Sequence, residues 1–161
     1  MRDSVEQDIV FNINNETKFN YRVAALIIQN NKVFLQTSSN EDFYALPGGR
    51  VNLFEDSKEA MVREIKEELG IKLSVDDALL IDVVENFFIY NNMKYHELLF
   101  IYRFELPDNI TIEDGLKTLD KDNNYNYWKD FKEIKNLNIK PVLIKDIYLN
   151  KELKHHINKE I

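Results

Sequence analysis

The segment from Gly49 to Ile71 reads GRVNLFEDSKEAMVREIKEELGI and decides how the rest of the chain is interpreted. Its second half, from Ser57 to Leu69, has the apolar spacing of an amphipathic helix. The apolar stripe consists of Met61, Val62, Ile65 and Leu69. Ser57 is a suitable N-cap residue, and Gly70 stands where a helix C-terminus favours glycine. We therefore predict one strong helix over 57–69, with the apolar stripe facing the core.

Three acidic residues share a neighbouring face of this helix. Glu64, Glu67 and Glu68 are spaced by three and four residues, so each like-charged pair destabilises a bare helix by roughly 0.2–0.5 kcal/mol. A solvated acidic face, with Arg63 and Lys66 as partners, is the common explanation of such a run. A site for a hard cation is the other explanation, because Mg²⁺ prefers carboxylate oxygens and water. The helix alone leaves both explanations open.

The whole segment resembles the Nudix box, G-x5-E-x7-R-E-U-x-E-E-x-G-U. Every fixed position is matched, at Gly49, Glu55, Arg63, Glu64, Ile65, Glu67, Glu68, Gly70 and Ile71. A chance match of this length is expected in fewer than roughly one chain in a million. The resemblance implies an α/β Nudix fold, with a mixed β-sheet sandwiched between helices (α/β/α). It also implies a hydrolase that acts on acid anhydrides in phosphorus-containing compounds.

The resemblance implies roles for the residues of the box. Divalent metal, Mg²⁺ with Mn²⁺ as a substitute, is held by Glu64 and Glu68, then by Glu67, and by a backbone carbonyl at Gly48 or Gly49. Metal clamped by carboxylates neutralises phosphate charge, activates water and aligns the reacting groups.

Three residues of the box are expected to act in catalysis. Glu67 is a catalytic candidate as well as a ligand, and Glu55 and Arg63 orient the ligands and fix the loop. An ordinary ion pair between Arg63 and Glu67 or Glu59 is compatible with that role. The pair Gly48-Gly49 is expected to tolerate positive φ and to let a carbonyl approach a ligand.

A glutamate after the box is expected to complete the site. Some Nudix members carry one that adds a metal ligand or acts as general base, and Glu97 is the candidate here, with Glu85 and Glu113 as rivals. A solvent-facing strand residue beside buried Leu98 is the alternative for Glu97. His96 is a candidate for substrate contact, although a lone histidine is more often packed or hydrogen-bonded.

Residues before the box are candidates for substrate binding. Phe43 and Tyr44 can stack on a base or line the pocket, with core packing as the alternative. Arg22 lies in a buried-looking strand and needs a partner, either a substrate phosphate or a structural carboxylate. The pair His155-His156 is predicted to be a surface feature and not a zinc site.

Apolar patterning predicts strands on both sides of the box. They cover 9–13, 21–28, 32–36, 79–90, 95–106 and 125–129. Asn30-Asn31 and Asn91 to Lys94 are the predicted hairpin connections. Residues 38–42 and 107–121 are predicted loops, and Lys140-Pro141 is predicted to open a final helix.

Composition limits the classes of protein. The 161 residues suit a single domain over 1–161, and the resemblance covers a core of about 20–149. The absence of cysteine excludes a disulfide framework, a thiolate zinc site and a cysteine nucleophile. A net charge of −7 disfavours a nucleic-acid polymer as partner. The start at 1–6 lacks a signal peptide and no window suits a membrane, so a cytoplasmic protein without a membrane partner is expected.

The box indicates the chemistry and not the substrate. The features that mark ADP-ribose, coenzyme A and NADH members of the family are missing. By elimination, a MutT-like enzyme is expected, which acts on a nucleotide-like small molecule, a (deoxy)nucleoside triphosphate. A nucleoside diphosphate sugar or alcohol is the close alternative, and a non-catalytic nucleotide-sensing Nudix module is another. Dimers are common in the family, which makes a homodimer possible.

Overall fold

A computed structural model describes residues 7–161 of the chain, in which ten strands and two α-helices follow one another. The elements are β1 Val10–Asn12, β2 Thr17–Gln29, β3 Lys32–Ser38, β4 Tyr44–Ala45, β5 Gly48–Arg50, α1 Ser57–Leu69, β6 Leu79–Tyr90, β7 Met93–Glu105, β8 Leu116–Lys117, β9 Asn124–Asp130, α2 Ile144–Ile147 and β10 Lys154–Glu160. Residues 1–6, for which the sequence predicts no signal peptide, lie outside the described range. No helix within 7–161 has the length and apolarity that a membrane crossing requires.

The strands form one mixed sheet. Its order is β10-β6-β7-β2-β3-β9-β8, with β1 and β5 paired to β2 and β4 paired to β3. The pairs β2–β7 and β6–β10 are parallel and the other pairs are antiparallel. Both predicted asparagine turns are present, since Asn30, Asn31, Asn91 and Asn92 all have positive φ, between 49° and 62°. Two consecutive positive-φ residues match the twist of the strands that they join.

Two layers of side chains bury the sheet. Alternate residues of β2 enter different layers, with Val23, Ala25 and Ile27 on one face and Ala24, Leu26 and Ile28 on the other. The first face packs against α1 through Met61 and Ile65, and the second against α2 through Ile144 and Ile147. A mixed sheet with a helix on each face confirms the predicted α/β fold class.

The helix of the box is confirmed over Ser57–Leu69, but its predicted N-cap is wrong. Asp56, not Ser57, caps the helix, because its carboxylate accepts hydrogen bonds from the backbone N–H groups of Lys58 and Glu59 at 2.9 and 3.0 Å. Gly70 ends the helix with φ of 68°, as the C-terminal glycine predicts.

The C-terminal region differs most from the prediction. The helix expected from Pro141 onward has only four residues, Ile144–Ile147, and the chain then enters β10, which is a strand that the sequence does not predict. The sequence of β10, KHHINKE, has one apolar residue and therefore no alternation to detect. Polar side chains hold this edge strand to β6. His156 binds the buried Asp82 at 2.7 Å, so this histidine is not merely a surface feature.

Candidate active site

The two glycines that open the box form β5, which lies antiparallel to β2 with Gly49 opposite Val23. A Cβ atom on Gly48 would stand 2.1 Å from the carbonyl oxygen of Val23, and one on Gly49 would stand 2.1 to 2.4 Å from the carboxylate of Glu64. Neither glycine has a positive φ, so that expectation is wrong. Space, and not left-handed backbone, requires glycine at both positions.

Arg63 joins the loop of the box to the helix. Its guanidinium donates to both carboxylate oxygens of Glu55, at 2.7 and 2.9 Å, and to the carbonyl oxygen of Arg50 at 2.9 Å. It also donates to Glu64 at 2.9 Å and to Glu67 at 3.1 Å. Burial opposes ionisation of Glu55, but the hydrogen bonds from Arg63 hold the pKa of this carboxyl below its ordinary value. Arg63 therefore orients the loop and makes the helical ion pair at the same time.

The acidic face of α1 is not uniformly solvated. Glu67 is exposed, whereas Glu64 is 8% exposed and Glu68 is fully buried. Burial raises the pKa of the Glu64 carboxyl, against the effect of the hydrogen bond from Arg63. A solvated acidic face therefore does not explain Glu64 and Glu68.

The carboxylate of Glu68 has a hydrogen-bond partner for only one of its two oxygens. Its Oε1 contacts the ammonium of Lys121, and its buried Oε2 has no hydrogen-bond partner. A buried carboxylate oxygen without a donor is costly, so it needs a cation or a proton donor. As the side chains stand, no three histidine, cysteine or acidic residues in the described part of the chain surround one point that suits a metal ion. The carboxylates are paired with Arg63 and Lys121 instead.

These donors nevertheless fit a hard divalent cation. They are oxygen ligands, as Mg²⁺ requires, and one of them is buried and unpaired. The missing Cβ of Gly49 leaves room for the Glu64 carboxylate to lie directly against the backbone of β5. The residues that would hold the cation are Glu64 and Glu68, with Glu67 at the exposed edge.

A cavity of about 410 Å³ opens beside Glu64, which is the only one of these three carboxylates that lines it. Its lining consists of Asp8, Asn20, Arg22, Gly49, Arg50, Glu64, Phe88, Tyr90, Tyr95, Glu97, Asp120 and Lys121. The cavity thus brings together four of the predicted site residues, from β2, β5, α1 and β7. Sequence reasoning missed Asp120 and Lys121, which lie in the loop between β8 and β9 and belong to no motif.

Glu97 lies on the wall of this cavity and is 3% exposed. Its Oε1 accepts a hydrogen bond from the side-chain amide of Asn86 at 3.1 Å. Its Oε2 is buried without a hydrogen bond, and the nearest guanidinium nitrogen of Arg22 is 3.9 Å away. Glu97 is therefore not the solvent-facing residue of the alternative interpretation. Asn20, its neighbour on β2, also has a buried side-chain oxygen without a donor.

A second cavity of about 420 Å³ adjoins the first and shares Arg22, Phe88, Tyr90 and Glu97 with it. Phe43 lines the second cavity, and the ammonium of Lys140 stands 5.0 Å from the centre of its ring. Tyr44 lines neither cavity. Its ring packs against the core and lies 5.1 Å from the ammonium of Lys129.

The other candidates lie elsewhere. His96 is exposed on the opposite face of β7 from Glu97, with its ring between those of Phe87 and Phe19 at 4.4 and 5.6 Å. Glu85 binds His155 at 3.0 Å, and Glu113 is exposed in the loop before β8. None of these three candidate residues lines either cavity.

Comparisons with known proteins agree with this fold. The sequence profile of the NUDIX domain matches residues 18–147, and no curated protein matches the chain. The MutT protein of Bacillus halodurans is similar in structure, with 17% identity, a TM-score of 0.66 and coverage of 86% of this chain and 90% of that one.

Two further solved structures resemble the chain. A NUDIX hydrolase of Nitrosomonas europaea has 17% identity and a TM-score of 0.61, and covers 88% of this chain and 79% of its own. An ADP-ribose pyrophosphatase of Streptococcus suis has 14% identity and a TM-score of 0.53, with 86% and 98% covered. At identities this low, the likeness to these solved structures shows a shared fold and nothing more.

Proposed function

This chain belongs to the NUDIX domain family and is a hydrolase of that family, and we propose that it is a Mg²⁺-dependent pyrophosphatase of (deoxy)nucleoside triphosphates. The observation that carries the proposal is the buried oxygen of Glu68 without a hydrogen-bond partner, one helical turn from Glu64, which lines a cavity of substrate size. Lys121 contacts only the other oxygen of this carboxylate, and a buried carboxylate oxygen without a partner is costly unless a cation or a proton donor reaches it.

The proposed ligands of the cation are the carboxylates of Glu64 and Glu68, assisted by Glu67 and by a backbone carbonyl at Gly49. When bound, Mg²⁺ offsets the charge of the phosphate oxygens and makes water a better nucleophile. Arg63 and Glu55 keep the ligands in place, because the five hydrogen bonds of this guanidinium tie the helix to the loop.

Glu97 is the proposed general base. Glu97 lines the first cavity, and its Oε2, which is buried without a hydrogen-bond donor, is proposed to accept the proton of the attacking water. The water oxygen bonds to phosphorus as the bridging phosphorus–oxygen bond breaks, which yields a nucleoside monophosphate and pyrophosphate. A positioned base of this kind contributes about 10²–10⁴-fold to a rate. Arg22 lines the same cavity and is proposed to bind a phosphate oxygen of the substrate.

The nucleoside is proposed to occupy the second cavity. Phe43 and Phe88 line it and offer flat apolar faces to a base, while Arg22 and Glu97 connect it to the first cavity. This arrangement suits a substrate with a base at one end and phosphates at the other. Contact of Tyr44 and His96 with the substrate stays a prediction from the sequence, since neither residue lines either cavity.

A single domain over 1–161 in the cytoplasm, with a core of about 20–149, belongs to the same proposal. The single domain is supported by the sheet, because all the strands from β1 to β10 belong to that one sheet. The net charge of −7 supports a small-molecule partner over a nucleic-acid polymer.

A substrate panel tests the proposal. Nucleoside triphosphates, nucleoside diphosphate sugars and dinucleotides are incubated with Mg²⁺, and kcat/KM is measured from formation of the nucleoside monophosphate, which hydrolysis of each of these substrates can release. We expect the triphosphates to be preferred. Glu68→Gln is expected to lower kcat by about 10²–10³-fold, which is typical for loss of one electrostatic group. Glu59→Gln, an exposed carboxylate on the same helix, is the matched control and should keep full activity.

Two results would refute parts of the proposal. Preference for a nucleoside diphosphate sugar or alcohol would replace the triphosphate with the close alternative. Tight nucleotide binding without turnover of any member of the panel would indicate a sensing module. Full activity of Glu68→Gln would remove this carboxylate from the site.

A further inference from the structure

The last strand of the chain reaches the candidate active site through a row of three side chains. Asn158 on β10, Asn86 on β6 and Glu97 on β7 stand opposite one another in the register of the sheet. The amide nitrogen of Asn158 donates to Oδ1 of Asn86 at 2.8 Å, and the amide nitrogen of Asn86 donates to Oε1 of Glu97 at 3.1 Å.

The carboxylate of Glu160 sets the donor-to-acceptor direction of the hydrogen bonds in this row. Glu160 carries a carboxylate, which only accepts, and it receives a hydrogen bond from the amide nitrogen of Asn158 at 3.1 Å. The same nitrogen points at Oδ1 of Asn86, so Asn86 must turn its own N–H₂ group toward Glu97. The reversed amide would place an oxygen against the carboxylate, which is unfavourable between buried acceptors.

Burial makes the orientation of Asn86 important. Asn86 is 5% exposed and Glu97 is 3% exposed, so water does not compete for their hydrogen bond. With Oε1 occupied by Asn86, the other oxygen of Glu97 is left buried without a donor. The row therefore fixes which oxygen of the Glu97 carboxylate is left without a hydrogen-bond donor.

We propose that Asn158 is a positioning residue of this hydrolase, which acts through Asn86 to hold the Glu97 carboxylate. The inference rests on the proposed role of Glu97 as general base. It makes β10, the strand furthest along the chain, a part of the active site. Asn158 itself does not line either of the two cavities.

Strand docking does not depend on Asn158 alone. His156 binds Asp82 at 2.7 Å and His155 binds Glu85 at 3.0 Å, and both contacts hold β10 to β6. The seven residues of β10 are also in register with β6 along their whole length. Substitution of Asn158 should therefore change the orientation of Asn86 while the strand stays in place.

Asn158→Asp tests the inference. The aspartate has the same shape, but its carboxylate repels Oδ1 of Asn86 and favours the reversed amide. We expect kcat to fall about 10- to 100-fold, as for other residues that orient an active-site group, with KM changed less than twofold. Lys159→Ala on the same strand is the matched control and should keep the wild-type kcat. Asn158→Ser, which removes the amide without adding charge, should lower kcat in the same way.

A double variant separates positioning from a structural effect. In the Glu97→Gln background, Asn158→Asp should cause no further loss of kcat, because there is no carboxylate left to hold. The side-chain amide signals of Asn86 in NMR spectra should move in Asn158→Asp while the backbone signals of β10 stay in place.

The failures are distinguishable. If Glu97→Gln keeps the wild-type kcat, the proposed base is wrong. If Glu97→Gln is inactive while Asn158→Asp and Asn158→Ser match Lys159→Ala in kcat, the inference about Asn158 is overturned. An equal loss from Asn158→Asp in both backgrounds overturns it as well.

Discussion

Gly49→Ala is expected to lower activity without unfolding the protein, whereas Gly48→Ala is expected to damage the fold. The two residues are adjacent on β5, and an added methyl group meets an atom at 2.1 Å in both cases. At Gly48 that atom is the carbonyl oxygen of Val23 in the central strand β2, which cannot move alone. At Gly49 it belongs to the carboxylate of Glu64, which is the end of a flexible side chain.

The magnitude follows from these distances. To restore van der Waals contact with a new Cβ at position 49, the Glu64 carboxylate must retreat by roughly 1.3 Å. A displacement of about 1 Å in an active site can lower a rate by about 10²-fold. We therefore expect kcat of Gly49→Ala to fall by about 10²-fold, together with weaker binding of divalent metal.

The assay pairs turnover with thermal unfolding. Gly49→Ala should unfold within a few degrees of the wild type and turn over slowly, while Gly48→Ala should unfold at a markedly lower temperature or not accumulate as folded protein. Wild-type turnover by Gly49→Ala would refute the reasoning, because it would mean that the position of the Glu64 carboxylate is unimportant.

Three further substitutions have expected outcomes. Lys121→Met should strengthen Mg²⁺ binding about two- to fivefold by calorimetry, since the substitution removes the ammonium that competes with the metal for the buried carboxylate of Glu68; weaker binding would contradict this. Asp56→Ala should lower the free energy of unfolding by about 1 kcal/mol through loss of the helix cap, measured with urea, and unchanged stability would reject the cap. Arg63→Lys should lower kcat about 10- to 100-fold because a lysine cannot hold both oxygens of Glu55. Wild-type kcat in that variant would show that this bidentate contact is dispensable.

Local sequence signals predicted most of the fold. The asparagine pairs at 30–31 and 91–92 predicted the turns, and the apolar periods predicted α1 and the long strands β2, β6 and β7. These features depend on residues that are close in sequence. The observed N-cap lies one residue before the predicted one. Asp56 and Ser57 are both residue types that cap helices well, but the carboxylate of Asp56 is the group that accepts hydrogen bonds from the free N–H groups.

The strand β10 could not be predicted from local sequence patterns. It is held by contacts such as His156 with Asp82, which are 74 residues apart, and its polar sequence resembles a solvated tail. The same limit applies to Asp120 and Lys121. Lys121 contacts Glu68, which lies 53 residues earlier in the sequence, and the loop that carries Lys121 has no periodic pattern of apolar residues.

The candidate site was predictable where the motif is specific. The box placed the acidic residues on one helix, but their burial depends on tertiary packing: the Glu64 carboxylate lies against Gly49 of β5, Glu68 contacts Lys121 after β8, and Glu67 stays exposed. Outside the box, single residues could not be ranked. Glu97 and His96 are neighbours in sequence, yet alternation along β7 places them on opposite faces of the sheet.

Binding of Mn²⁺, followed by electron paramagnetic resonance, tests the central claim most directly, since Mn²⁺ is the expected substitute for Mg²⁺. The wild-type protein and Glu68→Gln are titrated without nucleotide, with Glu59→Gln as control. The wild type and Glu59→Gln should bind Mn²⁺ with the same affinity, and Glu68→Gln should bind at least about tenfold more weakly because a charged oxygen ligand is lost. Equal affinity of all three proteins would contradict the account, because the buried oxygen of Glu68 would then have no part in holding the metal.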